Sequence, residues 1–208
     1  MNYRIRLIII FLLIILTVVT CIDPLYPRDQ LLQHLGTVLL LLPLCYDQLY
    51  RNLSFGSFSG IVIFTAVHII GARYVYSFVP YNEWVYQLSG VDLKTYFGFD
   101  RNHYDRFVHF GFGLLFFPYA VQLTQKMKLS SKSARLLVAW CFIQSFSLFY
   151  ELFEWALTLV MASEIADNYN GQQGDMWDAQ KDMALAMLGA TLGVGYYSLR
   201  RKNELLNE

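Results

Sequence analysis

Two helical spacings and one short polar stretch hold the residues able to do chemistry. Asp105 and His109 are four apart, and Glu151 and Glu154 are three apart. Each pair therefore shares one side of a helix. The stretch Gly-Gln-Gln-Gly-Asp-Met-Trp-Asp-Ala-Gln-Lys-Asp, Gly171 to Asp182, places Asp175, Asp178 and Asp182 at i, i+3 and i+7. On a helix all three carboxylates share a face. It opens directly into an apolar run, Met183 to Leu199, and carboxylates at the edge of a membrane segment are costly enough to suggest function. Carboxylates joined by imidazole hold divalent metals. The Asp/Glu-rich part suits Mg²⁺, Mn²⁺ or Ca²⁺, and the imidazole admits Zn²⁺ or Fe. The metal-ligand candidates are Asp175, Asp178, Asp182, His109 and Glu151. Without a metal, the pairs can serve as general acid and base, or as a proton relay. The candidates for that work are Glu151, Glu154, His109 and Asp105, supported by His68, Arg73, Tyr76 and Arg106.

No spacing is diagnostic of a reaction class. His-Glu-x-x-His, His-x-x-Glu-His, Gly-x-Ser-x-Gly and the phosphate loop are all absent. Several candidates also have an ordinary structural reading. Asp175 and Asp105 suit helix caps, and Asp178 suits the first turn of a helix. Arg106 suits snorkelling, and a lone His68 suits a packed histidine. Glu151 and Glu154 resist that reading. An acid at bilayer depth costs roughly 2.5–3.5 kcal/mol, so two on one face need partners, protons or water. A structural salt-bridge cluster is the alternative there.

The elements that position these groups are membrane helices. The 208 residues are 56% hydrophobic and only 15% charged, where a soluble domain carries about 25% charged residues. Formal net charge is zero, so there is no basic footprint for nucleic acid. Cys21, Cys45 and Cys141 have no zinc spacing and are odd in number, which disfavours a disulfide framework. Apolar runs predict an all-α, polytopic single domain over 1–208 with about six spans, roughly 5–22, 31–48, 58–78, 105–124, 136–162 and 182–199. The first run is read as an uncleaved helix, because no Ala-x-Ala site follows it and Thr20 fits poorly before Cys21. Pro43 predicts a kink, Pro80 a stop, and Trp84 to Leu88 a short interfacial piece.

Arg4, Arg6, Arg51, the cluster Lys126, Lys128, Lys132 and Arg135, and the closing Arg200, Arg201 and Lys202 share one side if the N-terminus is inside. The positive-inside rule therefore predicts N-in, C-in. That topology brings the polar groups of four helices to the outer leaflet: His68, Arg73 and Tyr76; Asp105 and His109; Glu151 and Glu154; Asp175 to Asp182. Gly189 and Gly193 predict close helix packing within the monomer.

Four blocks resemble the signatures of the YjdF-like bacterial inner-membrane proteins. They are His68-Ile-Ile-Gly-Ala-Arg-Tyr-Val-Tyr76, Asp105-Arg-Phe-Val-His-Phe110, Tyr150-Glu-Leu-Phe-Glu-Trp155 and Gly174 to Met183. Lys181 stands where that pattern leads one to expect an aromatic. The resemblance implies an inner-membrane location and no reaction. A looser likeness is to the VanZ-like membrane proteins, associated with glycopeptide tolerance, with Glu154 in place of a Gln and Asp182 in place of an Asn. Three functions remain open on this reading. One is an envelope enzyme, metal-assisted, acting on a membrane lipid or lipid-linked substrate. The others are a small proton-coupled carrier and a non-catalytic envelope assembly or interaction subunit.

Overall fold

The computed structural model describes residues 1–127, 129, 131–160 and 171–199. Among the described residues the chain is all-helical. The helices are α1 (Tyr3–Thr20), α2 (Pro27–Tyr50), α3 (Phe55–Arg73), α4 (Tyr81–Ser89), α5 (Leu93–Phe97), α6 (Tyr104–Lys126), α7 (Lys132–Val160) and α8 (Asp178–Leu199). Helices α1, α3, α6 and α7 are long and apolar enough to cross a membrane. At 24 and 22 residues α2 and α8 have the length but are not among these four. Basic Lys128 and Arg200 to Lys202, and the end of the fifth expected span, lie outside the described residues.

Local chemistry explains the helix ends. Asn2 caps α1 by accepting the Arg4 N–H, and Ser54 caps α3 by accepting the Ser57 N–H. Pro27 opens α2, where its missing N–H costs nothing. Pro43 and Pro118 lie inside α2 and α6, and both helices continue past them. Helix α3 stops at Arg73, earlier than the apolar run suggests. The chain then turns through Val75 and Tyr76, both at positive φ, so Tyr76 is off the helix. Arg73 reaches back to the end of α1, donating to the Thr20 and Ile22 carbonyls at 2.6 and 2.9 Å. The short piece expected at Trp84 to Leu88 falls in helix α4, which buries none of its residues and turns Trp84 against Tyr74.

Helix α6 is the axis of the bundle, packing on α8, α3 and α7, while α3 also carries α1 and α2. One apolar cluster joins α6, α7 and α8 through Phe117, Ala139, Ile143 and Ala190. A second joins α1, α2 and α3 through Leu13, Leu44, Phe58 and Ile61. The contact of α6 with α8 is a backbone approach. A Cβ on Gly113 would run into the Ala186 carbonyl, and one on Gly189 into the Phe110 carbonyl. One on Gly193 would strike the Phe117 ring. The Gly189-x-x-x-Gly193 pair thus packs within the monomer, as its spacing predicts.

At one end of the bundle Arg6 bonds Asp47 at 2.5 Å, and Asp47 also accepts the Leu53 N–H at 2.7 Å. Asp47 is 1% exposed. Breaking a buried pair strands the remaining charge, at a cost of about 3–5 kcal/mol. Asp47→Ala is therefore expected to lower the melting temperature of the detergent-purified protein sharply. Arg4→Ala, on an exposed residue of the same helix, will leave it unchanged.

Candidate functional site

The site lies at the opposite end of the bundle, where α6 and α8 begin and the second half of α7 passes. Its rim is built by two loops. Gly171 and Gly174 have φ of 65° and 84°, and Gln173 between them has φ of 49°. These left-handed steps curl the segment before α8 onto the segment before α6. The Asn102 backbone N–H donates to Gln173 Oε1, and Gln173 Nε2 donates to the Asn102 carbonyl, both at 3.0 Å. Asn102 also starts α6, its Oδ1 accepting the Tyr104 N–H at 2.9 Å. The loop closes over Asp105: a Cβ on Gly171 would lie 3.4 Å from the Asp105 Oδ2.

Arg101 is the residue that ties the rim together. It donates to the Gln172 and Gly171 carbonyls at 3.0 and 2.9 Å and bonds Asp178 at 2.5 Å. Arg106 pairs with Asp175, lies 3.4 Å from Asp178, and donates to His103 Nδ1 at 3.3 Å. Lys181 bonds Asp175 at 2.5 Å. The Lys181 hydrogen bond, then the Trp177 N–H, hold the Asp175 carboxyl at about 2, well below its ordinary 3.8. Burial, reinforced by the Arg106 and Arg101 charges, keeps the His103 imidazole below its usual range, which suits its role as acceptor.

The sign of the Asp175 shift gives a pH prediction. A depressed folded value means the rim contact contributes above the ordinary carboxylate value and is lost as pH falls through the folded one. The rim is thus expected to hold at pH 4 and to open toward pH 2. The fluorescence of Trp177, whose backbone N–H donates to Asp175 Oδ1 at 3.1 Å, is the readout, with Trp177→Phe as the blank. Lys181→Ala will move the transition to higher pH.

Beneath the rim sit Asp105, His109, Glu151, Glu154 and Asp182, all buried. Donor atoms of Asp105, His109 and Asp182 all lie within 4.8 Å of one another. His109 lies between two carboxylates, Nε2 3.7 Å from Asp105 Oδ1 and Nδ1 3.6 Å from Glu151 Oε1. Tyr150, one turn back on α7, hydrogen-bonds Glu154. Two oxygens in this layer, Glu151 Oε1 and Asp182 Oδ1, are buried with no hydrogen-bond partner. Asp182 is 2% exposed and Glu151 7%. Buried acceptors left this way carry a desolvation cost of about 1–3 kcal/mol each, more for a charge.

The three aspartates of the opening stretch thus part company. Helix α8 begins at Asp178, so Asp175 lies in the turn before it and off the shared face. Asp175 and Asp178 are engaged by Arg101, Arg106 and Lys181. Asp182 alone joins Asp105 and His109. His68 and Tyr76 form a separate unit, hydrogen-bonded to each other, with His68 Nε2 3.2 Å from the Gln33 carbonyl oxygen. Arg73 is engaged by α1. Arg101 and the Gly171 and Gln172 carbonyls are absent from the expected set, although the glycines flanking two glutamines signal a tight loop. Gln144 and Ser147 extend the Glu151 and Glu154 face of α7 inward, and Gln144 Nε2 and Ser147 Oγ also lack partners.

Residues 5–203 match the family described as predicted membrane protein (DUF2238). The chain belongs to this family. It is also similar to the inner membrane protein YjdF of Escherichia coli (strain K12), with 33% identity over 133 residues. The match covers 62% of this chain and 58% of that protein, so this chain spans little more than half of that relative's length. No solved structure matches. With its apolar helices, the protein is a transmembrane protein of the inner membrane.

Proposed function

We propose that this protein is an envelope enzyme with six spans, N-in and C-in. Its outer-leaflet site holds a divalent cation and acts on a lipid or lipid-linked substrate. The observation that carries this reading is the buried convergence of Asp105, His109 and Asp182 beside the unpartnered oxygens of Glu151 and Asp182. A cation among Asp105, His109 and Asp182 is the kind of partner the buried Asp182 carboxylate lacks, while Glu151 stands outside that group of three. Two carboxylates and one imidazole suit Zn²⁺, Mn²⁺ or Fe²⁺ better than Ca²⁺. Such an ion supplies Lewis acidity at a phosphoryl or carbonyl oxygen. Glu151 is placed to take a proton, since its Oε1 faces His109 across 3.6 Å. Arg101, Arg106 and Lys181 hold Asp175 and Asp178 in the rim, which leaves the lower carboxylates for the ion. The topology is supported by geometry too. The basic residues Arg6, Arg51, Lys126 and Lys132 belong to helix ends remote from the site, on the side that the positive-inside rule assigns to the cytoplasm.

The test is elemental analysis of the detergent-purified protein together with whole-cell lipid profiles of the null strain carrying each variant. Glu151→Gln is expected to fail to restore the lipid profile while keeping its metal. Asp178→Asn will lose activity in part, through a loosened rim. No divalent metal, with an unchanged lipid profile in the null strain, would contradict the proposal.

A proton-coupled carrier is the second reading, favoured by Gln144 and Ser147. Their unpartnered buried polar atoms lead inward from Glu151 along one face of α7, as a relay would need. Cysteines at positions 151 and 154 distinguish the two. A carrier admits thiol reagents from both membrane faces in turn, and the enzyme admits them only from outside.

A further inference from the structure

At the end of the bundle away from the acidic site, a cavity of about 150 Å³ opens where α1 begins and α2 ends. A single water needs only about 10–15 Å³ measured this way, so the space takes a polyatomic group. Its lining is rich in donors: Arg6, Gln48 and Arg51, with Tyr3 as the apolar wall. The acidic member, Asp47, is already engaged. It accepts from Arg6 Nη1 at 2.5 Å and from the Leu53 N–H at 2.7 Å. Arg6 spends one nitrogen there and on the Leu53 carbonyl at 3.0 Å, while its Nε is buried and unpartnered. Both amide atoms of Gln48 are likewise buried without a partner. The Arg51 guanidinium stacks over the Tyr3 ring at 5.5 Å, and among the described residues it has no carboxylate. Arg51 itself has φ of 50° at the end of α2, a position usually given to glycine.

We propose that this cavity binds a phosphate group, and that its source is the headgroup of an anionic phospholipid in the inner leaflet. With Asp47 matched by Arg6, the Arg51 charge is left over and the pocket is electropositive. The Arg51 guanidinium in its lining is a charged donor of the kind phosphate oxygens accept from, and Arg6 and Gln48 line the cavity beside it with buried N–H groups still lacking a partner. Basic pockets between membrane helices on the cytoplasmic side hold lipid headgroups by this chemistry. The phospholipid is favoured over free phosphate because the cavity sits at helix ends flanked by exposed apolar side chains, Ile5, Leu49 and Tyr50. Acyl chains can lie against these while the headgroup enters. The site is independent of the acidic one, and its test does not depend on the catalytic proposal.

The experiment is native mass spectrometry of the full-length protein, titrated with phosphatidylglycerol, with phosphatidylcholine and with inorganic phosphate. Wild type is expected to retain phosphatidylglycerol preferentially, and inorganic phosphate not to displace it. Arg51→Ala and Gln48→Leu will each weaken retention about tenfold, the scale of one charge-assisted hydrogen bond. Arg4→Ala removes the same charge outside the cavity and will leave retention unchanged. Because Arg51 and Gln48 hold no buried ion pair, these variants remain folded, which the melting temperature checks. Equal loss in Arg4→Ala, or equal retention of the zwitterionic lipid, would overturn the proposal. Displacement by inorganic phosphate would keep the phosphate site and overturn its lipid source.

Discussion

Asp182→Asn is expected to abolish the divalent-metal binding proposed for the wild-type protein. Even groups that only support a ligand cost about 10–100-fold in metal affinity when removed, so a direct ligand is expected to cost at least about 100-fold. His109→Ala and Asp105→Asn will behave alike, since the three donors converge within 4.8 Å. Asp175→Asn is the informative contrast. It neutralises a carboxylate of the same stretch, one that Arg106 and Lys181 already engage, and it will keep the ion. A dilution series read by elemental analysis separates these outcomes. The asparagine at 182 is nearly isosteric and neutral, so its melting temperature without metal will stay near wild type or rise. The wild type, with an unpartnered buried Asp182 oxygen, will be strongly stabilised by added metal, by mass action on the folded state.

Gly189→Val and Gly113→Val are expected to abolish accumulation of folded protein. Their Cβ atoms would clash with backbone carbonyls of the facing helix, and a backbone cannot step aside as a side chain does. Even Gly→Ala at either position forces α6 and α8 apart, an overpacking cost of about 1–3 kcal/mol. Gly195→Ala is the control on the same helix. Nothing lies within 4 Å of its Cβ, so the substitution is expected to be neutral or to stabilise by up to about 1 kcal/mol through helix propensity. Thermal unfolding in detergent ranks the three. The Gly189→Ala protein will also bind metal more weakly, because the same displacement carries Asp182 away from Asp105 and His109.

Apolar runs in the sequence suffice to read the long helices and their order, whereas the short α5 (Leu93–Phe97) was not among the expected elements. The alternation of spans brings Asp105, His109, Glu151, Glu154 and Asp182 to one end, and that convergence needs no side-chain geometry to foresee. The division of labour among Asp175, Asp178 and Asp182 was not legible. Spacing assumes a helix, and the helix begins only at Asp178, so the phase argument fails for Asp175. Arg101 was hidden for a related reason. It acts through the Gly171 and Gln172 carbonyls, and backbone acceptors leave no mark in a side-chain pattern. Tyr76 looked helical because its run is apolar to Val79. Two positive-φ residues after Arg73 turn it toward His68 instead.

The most direct measurement is X-ray absorption at the metal edge of the purified protein, wild type and His109→Ala, after loading with Mn²⁺ or Zn²⁺. About one ion per chain is expected, in an oxygen-rich shell with a single imidazole, and the imidazole signal is expected to be lost in His109→Ala. A wild type that binds no ion, or whose shell is unchanged by His109→Ala, would contradict the proposed site.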